Sequence, residues 1–372
     1  MTATEEAVLL DPDAHELLVD EPWTEAWARD AVAAIVRAAE EAFDGAHWPV
    51  DPRDDLAAPT QSVYFGTAGM AWALHRLGSS LDAGAVVAGA LERYRAAPDL
   101  VDEDLAHPPS LLMGETGILL AADAVGSPAD DRARLAELVA ANRDNDVREL
   151  MWGSPGTIVA ARRTGLDELA DESAAVLEAA WPEDGLWVQE LYGTTSRYVG
   201  PGHGFAGCVQ ALRGYLPDDE LRERALPVLE GCARHAGELV NWVPIEGWEP
   251  GRPMRVQWCH GAPGMVITLA DLMPCELALG GGELTWRAGP LAKGPGLCHG
   301  TAGNGYAFLR LHTLTGDELW LDRARCFAVH AVAQVEAADA QRHGLFTGDI
   351  GVALFVQACL DLDPRFPGID LW

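Results

Sequence analysis

Seven times along the chain a nearly unbroken apolar segment follows a short glycine-rich loop, and before most of these stands a charged segment with one apolar stripe. The apolar segments include AWALHRLG from Ala71, ILLAADAVG from Ile118, TIVAARR from Thr157 and YAFLRLHTL from Tyr306. Apolar on most faces, they read as buried helices. Charged segments such as WTEAWARDAVAAIVRAAEEAF from Trp23, DELRERALPVLEGCARHA from Asp219 and ELWLDRARCFAVHAVAQVEAA from Glu318 carry apolar residues at helical spacing and read as surface helices. Sustained period-two alternation is absent and β-branched residues are scarce, so the expectation is an essentially all-α chain.

The loops share a signature, Gly-x-x-Gly. The pairs are Gly66/Gly69, Gly114/Gly117, Gly153/Gly156, Gly204/Gly207, Gly261/Gly264, Gly300/Gly303 and Gly348/Gly351, separated by 48, 39, 51, 57, 39 and 48 residues. Each interval has the length of two helices and their loops. Seven outer-then-inner helix pairs can stack as an open solenoid or close as a ring. Open solenoids need polar terminal caps, and the last repeat, GDIGVALFVQACLDL, is as apolar as the middle ones. Closure into an (α/α)7 toroid is therefore expected, one domain over residues 1–372 with an N-terminal extension of about 20 residues. All seven loops then converge on one end of a central cavity. One departure stands out: the run Gly280 to Gly282 in an outer segment is expected to break or shorten its helix and leave an irregular wall.

Composition changes the picture by exclusion. Hydrophobic residues make up 49% of the 372, enough for a large core, while 57 acidic against 26 basic residues leave a net charge of −31. Such a field repels phosphate backbones and anionic lipid, which argues against nucleic-acid and membrane partners. The first residues, MTATEEAVLLDPDAHELL, are acidic where a secretory signal needs positive charge, so a cytoplasmic location is expected. The seven cysteines (208, 232, 259, 275, 298, 326 and 359) form no C-x-x-C pair and suggest no disulfide framework. Lys293 is the single lysine among the basic residues, which reads as compositional bias and also draws attention to its position.

Three loops are polar in a way the others are not: GPGHGFAG around His203, RVQWCHGAPG around Cys259, and KGPGLCHGTAGN around Cys298 and His299. Cys259 and Cys298 each stand two residues before a first glycine, followed directly by His260 and His299. Two thiolates and one imidazole suit zinc, and three protein ligands leave a position open, the pattern of catalytic sites. Spacing alone allows either His260 or His299 to supply the nitrogen. His203, directly before Gly204, reaches the same cavity and titrates in the range of an acid or base.

WCHGAPG and KGPGLCHGTAGN, with HGFAG and the seven glycine pairs, resemble the lanthionine synthetase C-like family, closer to its eukaryotic-type, stand-alone branch than to bacterial lantibiotic cyclases. The resemblance implies a toroid with one zinc held by Cys259, Cys298 and His299. It also implies the addition of a thiol, glutathione in the stand-alone branch, to dehydroalanine or dehydrobutyrine in a peptide or protein. It further implies that His203 is the acid/base, that Arg255 neutralises a developing enolate, and that Glu149 lies near the bound substrate. The resemblance likewise implies an anion contact at Lys293, five residues before Cys298, and a compact ammonium suits a carboxylate of glutathione. Arg197 is a second candidate cation, and Trp258, beside Cys259, either walls the pocket or packs in the core.

Other readings compete. Lanthipeptide cyclisation uses the same chemistry within one peptide, and a separate dehydratase would then be needed because the repeats fill the chain. A noncatalytic zinc- and glutathione-binding module would not need His203 and Arg255. Zinc-dependent prenyl transfer also uses an α/α toroid, but its metal set includes an Asp and fits this triad less well.

Overall fold

A computed structural model describes residues 9–99, 109–191 and 193–372, so the first eight residues of the expected N-terminal extension lie outside the described residues. The outer helices are α1 (Glu25–Ala42), α3 (Ala83–Ala96), α5 (Arg132–Asn142), α7 (Asp167–Ala179), α9 (Asp218–Cys232), α11 (Cys275–Ala288) and α13 (Glu318–Ala337). Alternating with them are the inner helices α2 (Thr67–Arg76), α4 (Glu115–Ala124), α6 (Ser154–Arg163), α8 (Phe205–Leu212), α10 (Ala262–Leu269), α12 (Thr301–Thr315) and α14 (Asp349–Asp361). Each inner helix packs on the next, and α14 packs on both α2 and α1, which closes the ring.

The two helix sets start differently. Outer helices α1, α3, α5 and α13 begin at Thr24, Asp82, Asp131 and Asp317, whose side chains accept a first-turn N–H. Inner helices begin at the first glycine of each pair, without a side-chain cap. In α2, α8, α12 and α14 the first N–H instead meets a carbonyl of the loop that precedes it: Thr67 N donates to Thr60 O at 3.0 Å, Phe205 N to Tyr198 O at 3.0 Å, Thr301 N to Gly294 O at 3.1 Å and Asp349 N to Arg342 O at 2.9 Å; in α10 Ala262 N donates to Asn241 Oδ1 at 2.8 Å. For this the loop must double back against the helix. A Cβ on the second glycine would stand closer than 3.0 Å to the carbonyl oxygen six residues earlier in all seven repeats: Val63, Leu111, Leu150, Pro201, Trp258, Leu297 and Leu345. The glycine pair thus serves close backbone approach.

One expectation is corrected. The Gly280–Gly282 run does not interrupt α11, which continues through it. A Cβ at Gly280 would meet Glu238 O and Val240, at Gly281 the Trp242 ring, and at Gly282 Leu311 and the Trp320 ring. A Cβ at Gly281 would also stand 2.9 Å from Val266 of α10, so the glycines let a hairpin and three helices approach α11, and that packing outweighs their low helix propensity. The expected all-α toroid carries two short hairpins: β1 (Gln189–Leu191) pairs antiparallel with β2 (Thr194–Ser196), and β3 (Ala233–Ala236) with β4 (Leu239–Trp242). These hairpins occupy the two longest intervals between glycine pairs.

The N-terminal segment is laid along the ring. Leu9 and Leu10 are buried, Asn241 donates to Leu9 O at 2.7 Å, and Glu16 N and Ala292 N exchange bonds with Pro290 O and Ala14 O at 3.0 Å. The C-terminal segment plugs the channel: Phe366 stacks on Trp258 with centroids 4.7 Å apart, and Arg163, at the far end of α6, donates to Trp372 O. Among the described residues no helix is long and apolar enough to cross a membrane.

Candidate active site

A belt of backbone hydrogen bonds aligns the loops at one end of the ring. Cys259 N donates to Cys298 O (3.2 Å), Cys298 N to Phe346 O (3.0 Å), Phe346 N to Tyr64 O (3.1 Å), Tyr64 N to Leu112 O (2.9 Å) and Leu112 N to Met151 O (3.4 Å). All of these residues stand two positions before a first glycine. The belt makes Cys259 and Cys298 neighbours although 39 residues separate them. A tight turn adds to this: Gln257 N and His260 O, with His260 N and Gln257 O, bond at 3.1 and 3.2 Å and leave Cys259 at the tip. Gly261 closes that turn with φ 113°, a left-handed conformation suited to glycine.

The ligand atoms of Cys259, Cys298 and His299 lie within 4.8 Å of one another, a group that could hold a metal ion. His260 is outside the group; it stacks on His203 at 5.7 Å, and its Nδ1 is buried without a hydrogen-bond partner. The hydrogen bond from Cys298 holds the Cys259 thiol well below the usual range, helped by His260 and His299 against burial. Cys298 is raised, first by its bond to Cys259 and then by burial. Such a charge-rich, soft donor set, buried and without a carboxylate, suits a thiophilic cation. Two groups not anticipated from sequence support the sulfurs: Gln257 Nε2 donates to Cys259 Sγ at 2.9 Å, and the Tyr64 phenol hydrogen-bonds Cys298. Tyr64 carried a signal, since it shares the register of the two cysteines.

Above the triad is a cavity of about 490 Å³ lined by His203, Arg255, Lys293 and the triad on one side and by Tyr64, Phe65, Met113, Met151 and Trp152 on the other. Among the described residues no carboxylate lines it. Arg255 and Lys293 have no salt-bridge partner among the described residues, in contrast to Arg197. Arg197 is tied to Asp184, Glu246 and the Leu186 carbonyl and is not part of the cavity wall, so the structure does not bring it to the site. Trp258 also departs from the pocket-wall expectation: it is buried between Phe366 and Phe346 in the floor.

Glu149 is neither a solvated charge nor a cavity wall. It is fully buried, accepts from Met151 N at 3.1 Å, Trp152 N and Gly153 N at 3.3 Å at the start of α6, and meets His203 Nδ1 through Oε2 at 3.1 Å. Burial opposes charging His203, but the bond and charge of Glu149, with Cys259, outweigh both burial and Arg255 and raise its pKa above the ordinary value. His260 lacks such a carboxylate; burial and the neighbouring cations push it down to about 4.

With this geometry in place, similarity to known proteins can be weighed. A family model described as lanthionine synthetase C-like protein matches residues 57–371. The chain belongs to the lanthionine synthetase C-like family. This member is 34% identical over 198 residues to LanC-like protein GCL1 of Arabidopsis thaliana, covering 47% of the chain and 44% of the relative. It is also 34% identical over 183 residues to Glutathione S-transferase LANCL1 of Danio rerio, covering 45% of the chain and 41% of the relative. The matched stretches thus span less than half of these relatives. In fold, the lanthionine synthetase C-like chain is similar to nisin cyclase, with a TM-score of 0.61 at 14% identity, covering 92% of this chain and 99% of that one.

Proposed function

We propose that the protein adds a thiol, glutathione or a peptide cysteine, across the double bond of dehydroalanine or dehydrobutyrine, with zinc held by Cys259, Cys298 and His299. The observation that carries this reading is the convergence in one cavity of that triad with His203 and two cations, Arg255 and Lys293, that have no salt-bridge partner among the described residues. The name Glutathione S-transferase LANCL1 for a relative and nisin cyclase for a structural neighbour support a thioether product.

Zinc bound by three ligands supplies Lewis acidity that lowers the pKa of a substrate thiol. The chain's own residues do the rest. Lys293 and Arg255 offset the charge of an anionic thiol in a protein of net charge −31. Sulfur attack on the β-carbon forms the C–S bond and moves the π pair onto the α-carbon and its carbonyl, where Arg255 stabilises developing negative charge. Because Nδ1 of His203 engages Glu149, its Nε2 delivers the proton to the α-carbon. The thiol's own proton balances the one His203 gives up, so the net change is addition of S and H across the double bond.

Mass spectrometry of a dehydroalanine peptide incubated with zinc-loaded protein and glutathione tests this. The expected result is a mass gain of one glutathione, faster than without protein. A rate equal to the uncatalysed one contradicts the reading. Cyclisation of a peptide carrying its own cysteine, with glutathione inert, would assign the thiol to the peptide.

A further inference from the structure

We infer that the cavity's apolar arc is an acceptor subsite, and that the protein selects dehydroamino acids with an apolar neighbour in the peptide. This rests on the reading above and adds which acceptors it takes. The residue directly before the first glycine is Phe65, Met113, Trp152, His203, His260, His299 and Thr347 in successive repeats, and the first six of these line the cavity. They divide it by position around the ring. Every cation, thiol and imidazole in the lining comes from Gly204 and later repeats or their approach loops, whereas Phe65, Met113, Met151 and Trp152 bring none. A thiol bearing carboxylates is drawn to Lys293 and Arg255, leaving the arc to the other substrate.

His203 stands at the boundary. Its loop follows that of Trp152 around the ring, and it is held by Glu149, whose carboxylate binds the backbone N–H groups of Met151 and Trp152. A double bond protonated by His203 therefore lies beside Met151 and Trp152. Met113, Met151 and Trp152 are 7%, 4% and 7% exposed, so the arc offers apolar side-chain edges to a bound peptide. Methionine adapts to varied apolar shapes. The Trp258, Phe346 and Phe366 floor closes the channel beneath, so the acceptor enters and leaves by one mouth as a short loop or chain end.

The test is a set of short peptides with a single dehydroalanine flanked on either side by Leu, Ser or Asp, reacted with glutathione on zinc-loaded protein. Leu peptides should exceed Ser peptides about tenfold in kcat/KM, with Asp peptides lower still. Phe65→Ala and Met113→Ala, each checked for full zinc content, should reduce the Leu-to-Ser ratio to about twofold and leave the glutathione KM unchanged. Equal kcat/KM across the set, or an undiminished ratio in both variants, overturns the acceptor subsite. No reaction with any peptide overturns the catalytic reading itself.

Discussion

The loops entering α8, α10 and α12 and those entering α2, α4 and α6 share one backbone arrangement, with a glycine at each helix start and a doubled-back approach. At matching positions the first set carries His203, Cys259, His260, Cys298 and His299, and the second carries Tyr64, Phe65, Met113, Met151 and Trp152. The difference teaches that the fold supplies a ring of like perches, six of which reach the cavity, and that the chemistry on offer follows from what a few of them hold. The belt does not distinguish a ligand loop from an apolar one: it joins the loops of Cys259 and Cys298 as it joins those of Leu112 and Met151, and only the tight turn closed by Gly261 sets the Cys259 loop apart.

Variants on the reactive side should break the contrast most. His203→Asn should keep its zinc and lower turnover roughly 10² or more, since it removes proton transfer alone; unchanged turnover would remove His203 from the mechanism. Glu149 raises the His203 pKa, and the acid form acts, so activity should fall as pH rises through that raised value. Glu149→Gln should move this alkaline limb to lower pH, and an unmoved limb would show that another group sets it. A smaller effect is expected of Lys293→Ala, which should raise the apparent glutathione KM roughly tenfold, as for a partly exposed charge contact of about 1 kcal/mol. Mercaptoethanol, lacking carboxylates, should react nearly as well with this variant; equal losses for both thiols would place Lys293 elsewhere in the reaction.

Much of this architecture is legible in the sequence because close backbone approach forces glycine at fixed positions. The seven pairs locate every inner helix, and the Cys-His steps locate the triad. The hairpins were not legible, because strands of three or four residues are too short to show alternation. Glycines 280 to 282 misled because propensity is local while their reason, the approach of Val240, Trp242 and Trp320, is tertiary. Arg197 looked available until Asp184 and Glu246 arrived from other segments, and Trp258 until the C-terminal Phe366 folded beneath it. Glu149 was found by position, but its work on His203 depends on contact between loops 54 residues apart.

The central claim, that two neighbouring perches form a metal centre and His260 stays outside it, is tested most directly by metal content. Purified protein should carry about one zinc; Cys259→Ala, Cys298→Ala and His299→Ala should each lose it, and His260→Ala should retain it. Zinc lost from His260→Ala but kept by His299→Ala would contradict the account.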